Sequence, residues 1–83
     1  MSPEERDDKL HQLEVCKHAG EQAYDDLYEK AYSTSAITAY YSEAKESFYT
    51  AISLARELGL ADEVEALDKR LAHIKSVFRS QFG

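Results

Sequence analysis

The chain has 83 residues, 43% of them apolar and 31% charged, and a formal net charge of −6. That length allows one domain, residues 1–83, burying about two-thirds of its unfolded surface, and the negative charge sets it against nucleic-acid phosphate and anionic lipid as general partners. With no bilayer-length apolar run, no leader-like opening and a single cysteine, Cys16, the expectation is an unprocessed cytoplasmic protein that binds neither nucleic acid nor membrane.

The stretch Ser2-Pro3-Glu4-Glu5 opens a helix: Ser2 suits the cap, Pro3 the first helical position, and Glu5 closes a capping box. Small or apolar residues then recur at Leu10, Leu13, Cys16, Gly20, Ala23, Leu27 and Ala31, in steps of three and four. Ser33, Thr34 and Ser35 break that period and offer the next caps. A second stripe follows at Ile37, Tyr41, Ala44, Phe48, Ala51, Ala55 and Leu58, closed by Gly59 as a left-handed cap over which Leu60 folds back. Asp62 with Glu65 reads as another capping box, and Val64, Leu67, Leu71, Ile74 and Phe78 form the third stripe. The pattern predicts an all-α, antiparallel three-helix bundle with helices over about 3–31, 36–58 and 62–80.

Short turns make consecutive helices antiparallel neighbours, which fixes their register. Gly20 then lies opposite Phe48, Cys16 opposite Ala51, Leu13 opposite Leu54 and Ala55, and Leu10 opposite Leu58. On the other side, Ala44 faces Phe78, Phe48 faces Ile74, Ala51 faces Leu71, Ala55 faces Leu67 and Leu58 faces Val64. The middle helix therefore lends its alanines as sockets to two neighbours approaching within ~8–10 Å, and Phe48 fills the hole at Gly20. The predicted core is Leu13, Gly20, Leu27, Ala44, Phe48, Ala51, Ala55, Leu58, Leu67, Leu71, Ile74 and Phe78. The first helix is the longest, and its opening turns, which lack an apolar residue before Leu10, should overhang.

The segment YSEAKESFYTAISLARELG (41–59) resembles the second helix of a tetratricopeptide repeat, with Ala44, Phe48 and Ala51 matching that family's small–aromatic–small pattern. ADEVEALDKRLAHI (61–74) resembles the opening of the helix that follows, and the whole stretch to about residue 78 is similar to helices two and three of the microtubule-interacting-and-trafficking domain. Upstream the pattern departs: Tyr28, Ala31, Tyr32 and Ser35 stand where the tryptophan, leucine, glycine and tyrosine of a tetratricopeptide first helix belong, and no second repeat follows. The resemblance implies a single-unit relative with tetratricopeptide-like packing of helices two and three, serving protein–protein recognition rather than catalysis.

Three groups are candidates for chemistry. His11, Glu14 and His18 share one helix face at spacings that suit a divalent metal, but no Glu-x-x-His pairs of a di-iron bundle accompany them, and a solvated polar face is the expectation. Cys16 sits on the inward stripe with no base and orienting acid in reach, which predicts an inert buried thiol and no nucleophilic catalysis. Tyr24, Tyr28 and Tyr32 form a row at four-residue spacing, and Tyr40, Tyr41 and Phe82 should arrive at the same end of the bundle. These rings are either the top layer of the core or an exposed recognition patch, since tyrosine is enriched at interfaces. Residues 1–31 carry nine acids against four bases, and the bases Lys69, Arg70, Lys75 and Arg79 all follow the acids of the last helix. That order complements the helix dipole and places the basic half beside Asp25, Asp26 and Glu29.

The functional expectation is a non-enzymatic, adaptor-type module without cofactors that binds a partner helix or peptide through Tyr24, Tyr28, Tyr32, Tyr40 and Tyr41. A self-associating homodimer is the alternative, and a metal-binding bundle through His11, Glu14 and His18 the third reading.

Overall fold

The computed structural model describes residues 1–82, which form three α-helices: α1 (Pro3–Glu29), α2 (Thr34–Glu57) and α3 (Ala61–Phe82). No strand occurs among the described residues. The chain runs up, down and up: α1 packs on α2, and α2 on α3. Its longest dimension is 45 Å, close to the ~40 Å of a helix the length of α1, so the three rods lie nearly along one axis.

Each helix boundary has a local cause. The Ser2 hydroxyl accepts from the Glu5 amide at 3.2 Å, with Pro3 at the first helical position. Ser33 accepts from the Ala36 amide at 3.1 Å, so α2 starts at Thr34, two residues earlier than the apolar pattern alone places it. At the far end of α2, Gly59 adopts φ +72°, its amide donates to the Arg56 carbonyl at 3.0 Å, and the Leu60 amide donates to Ala55 at 2.9 Å. That pair of reversed bonds is a Schellman ending. It runs straight into α3, whose first bond is from the Val64 amide to the Leu60 carbonyl. Asp62 therefore does not cap α3; it lies inside the first turn with Glu63, where both carboxylates favour the positive end of the dipole.

Most of the expected core residues are buried, Ala23, Ile52 and Leu54 are buried beside them, and Phe78 is not fully buried. Leu13, Leu27, Ala44, Ala51, Ala55, Leu58, Leu67, Leu71 and Ile74 are buried, and Phe48 is 1% exposed. A Cβ at Gly20 would lie 2.8 Å from Phe48 Cε2 and 2.9 Å from its Cδ2, so the missing side chain is the space the ring occupies. Ile52 is also buried, although it falls outside the expected stripe. A helix contacted on two sides buries a wider arc than one stripe covers, and Ile52 lies on the α3 edge of that arc. Phe78, expected in the core, is only half-buried; it leaves the interior to stack on Tyr41.

The opening of α1 extends past the end of α2, as its polar first turns predict. There Arg6 donates to the Leu58 carbonyl at 3.2 Å and Lys9 meets Glu57 at 3.3 Å, tying the overhang to the α2–α3 turn.

Candidate functional site

The sequence spacing puts aromatic side chains at one end of the bundle, where α1 finishes, α2 begins and α3 finishes. The structure joins them into a continuous row. Tyr24 meets Tyr28 edge-on, with ring centroids 5.3 Å apart. Tyr28 approaches Phe82 at 6.2 Å, Phe82 lies 5.0 Å from Phe78, and Phe78 stacks face to face on Tyr41 at 3.6 Å. One ribbon of rings thus crosses from α1 over α3 to α2. Cations cover its two ends: Arg70 stands 5.3 Å from the Tyr24 centroid and Lys45 4.5 Å from that of Tyr41.

The expected tyrosines divide between two roles. Tyr24, Tyr40 and Tyr41 are half-buried, with Tyr24 and Tyr41 occupied by contacts within the fold. Tyr28 and Phe82 are 45% and 42% exposed and Tyr32 is 92% exposed, its hydroxyl resting on the Glu29 carbonyl at 3.4 Å. Tyr28, Tyr32 and Phe82 are therefore the part of the cluster that meets solvent. The end of α1 at Glu29 explains the division, because Tyr24 and Tyr28 lie within the helix and Tyr32 lies beyond it. Tyr24 points along the α3 groove, and Tyr28 straddles its edge. Tyr49, on a different face and overlooked in the sequence pattern because it lies off the α2 stripe, is half-exposed with the Lys75 ammonium on its hydroxyl and over its ring.

Partial burial, with the Tyr24 hydroxyl as a lesser cause, pushes the Tyr28 phenol up to about 12 from its ordinary 10. The folded chain thus holds this proton more tightly than the unfolded one does. The stabilisation is complete below pH 10 and is lost as pH rises to about 12. In an alkaline titration followed by phenolate absorbance, one tyrosine should ionise near 12, and that late step should vanish in Tyr28→Phe. A late step that persists in the variant would assign it elsewhere.

The groove leading to the cluster is held by ion pairs between α1 and α3. Arg70 forks onto Glu21, with Nε 2.9 and 3.0 Å from the two carboxylate oxygens and Nη2 2.6 Å from one of them. Lys17 reaches Glu63 at 2.5 Å. Hydrogen bonding to Glu21 raises the Arg70 pKa and hydrogen bonding to Glu63 raises that of Lys17. The expected partners of the basic half of α3 were Asp25, Asp26 and Glu29. The structure pairs Arg70 with Glu21 instead, one turn earlier, while Asp26 is engaged by Gln22 and Lys30 of its own helix.

The other candidates do not assemble. His11, Glu14 and His18 are all exposed, Glu14 lies 3.5 Å from Lys17, and among the described residues no group of three or more His, Cys, Asp or Glu side chains is placed to hold a metal ion. Cys16 is half-buried against the core. A shallow apolar groove of about 320 Å³ lies at the opposite end, bounded by Arg56, Gly59, Leu60, Ala61 and Val64. No helix among the described residues is long and apolar enough to cross a membrane. The chain matches no protein-family model, no curated protein and no solved structure.

Proposed function

We propose that this chain is a non-enzymatic protein-interaction module of the cytoplasm, an adaptor that receives a partner helix or peptide at its tyrosine-rich end. The observation that carries the reading is the solvent-facing edge of the aromatic row, where Tyr28 and Phe82 expose neighbouring rings from two helices and Tyr32, just past the end of α1, is almost fully exposed. Large rings with few rotatable bonds supply contact area at little entropic cost, and such residues dominate binding energy at interfaces. Tyr24, Phe78 and Tyr41 lie behind that edge and hold it in place. The likeness of residues 41–78 to tetratricopeptide and microtubule-interacting-and-trafficking helices points the same way, since both families act by docking other proteins.

The test is capture of partners from a lysate by the intact chain and by a Tyr28→Ala/Tyr32→Ala variant. Both side chains are largely outside the core, so the variant should keep its helical signal and most of its thermal stability while losing partners by at least tenfold, equivalent to about 1.4 kcal/mol. Undiminished capture by a folded variant would remove the tyrosine end from consideration.

A further inference from the structure

Only residues 58–60 separate α2 from α3, and one of them makes the reversal, Gly59 at φ +72°. A Cβ built there would meet nothing within 4 Å, so crowding does not select glycine at this position; the left-handed backbone alone does. Leu58 before it is already in the right-handed helical region, and α3 begins at Ala61. Bringing Gly59 into that region would make residues 34–82 one rod about 73 Å long, against 45 Å for the closed molecule. We propose that Gly59 is a hinge and α3 an exchangeable arm: when residues 58–60 straighten, α3 docks on the α1–α2 unit of a second copy of this chain and receives that copy's α3 in return.

Two features of the fold support the exchange. First, the more extensive packing in the bundle is that of α1 on α2, with Phe48 seated at Gly20, and this contact does not involve α3. Second, besides its buried Leu67, Leu71 and Ile74, α3 is matched to the other two helices by specific pairs: Arg70 with Glu21, Glu63 with Lys17, Phe78 with Tyr41 and Lys75 with Tyr49. Each can be re-formed between copies with unchanged geometry, which is the condition for low-cost exchange. The straight rod also suits it sterically. At about 100° per residue, the α2 residues that α3 covers, Tyr41 and Tyr49, lie on average roughly 45° around the rod from Leu67, Leu71 and Ile74, so one partner copy can lie along both halves.

The experiment compares Gly59→Ala, which disfavours the left-handed turn, with Gly59→Asn, which tolerates it. Each full-length chain is refolded at millimolar concentration, diluted a hundredfold and sized at once. Gly59→Ala should give at least ten times more species at twice 9.4 kDa than wild type or Gly59→Asn, and that dimer should survive dilution until passed through unfolding. A monomeric Gly59→Ala, or a dimer that dissociates within the dilution, overturns the hinge. Should Gly59→Ala not refold, the wild-type chain decides: a dilution-resistant dimer after concentrated refolding supports exchange, and its absence overturns it.

Discussion

Phe48→Ala should be the most damaging single substitution in the chain, lowering stability by about 3–5 kcal/mol. The ring is 1% exposed, fills the space left by Gly20, and belongs to the helix that both others contact. Removing it opens a void that neither α1 nor α3 can close alone, because each is positioned by its own further contacts. A domain of this size has on the order of 4–12 kcal/mol in total, so the loss is a large fraction of it. At about 4–8 °C per kcal/mol, the melting midpoint should fall by about 12–40 °C. Thermal unfolding by circular dichroism measures this directly, and a midpoint within a few degrees of wild type would mean that the ring does not hold the helices together.

The second large effect concerns the other half of that contact. In an ordinary helix interior, Gly20→Ala would gain about 1 kcal/mol in propensity. Here the new methyl would sit 2.8 Å from a ring with no free side to move into, and overpacking of that kind costs about 1–3 kcal/mol. A net loss is expected in the native background. In Phe48→Leu, whose shorter side chain leaves room, the same change should become neutral or stabilising. Chemical denaturation of the four proteins gives the coupling, expected to be on the order of 1–3 kcal/mol for touching residues. Equal costs in both backgrounds would separate the glycine from the ring.

This contact was legible in the sequence because short turns fix the register of antiparallel neighbours, and a lone glycine opposite a lone phenylalanine identifies itself. The three stripes and the Ser2 and Gly59 boundaries were legible for similar reasons, since each rests on spacing or on a residue within a few positions, whereas the start of α2 was not fixed within the run Ser33-Thr34-Ser35, any of which can cap. Ile52 and Phe78 were not legible, because the width of a buried arc and the escape of a ring to a stacking partner depend on the angle between helices. The ion pair of Arg70 with Glu21 was missed by one turn for a related reason. Helices α1 and α3 are not consecutive, so no turn fixes their offset. At the candidate site, the row of tyrosines was evident from four-residue spacing, but the exposure of Tyr28 and Tyr32 rather than Tyr24 depends on where α1 ends against α3.

The notch at residue 20 also bears on uniqueness. Many apolar matchings of two rods lined with alanine and leucine would be about equally greasy, and a slide of one turn would still cover most of the same surface. Such a slide carries the phenyl group to Cys16 in one direction or to Ala23 and Tyr24 in the other, and each of those positions already bears a side chain. An absent methyl thus acts as a key: it admits a single alignment and leaves the near-degenerate ones blocked.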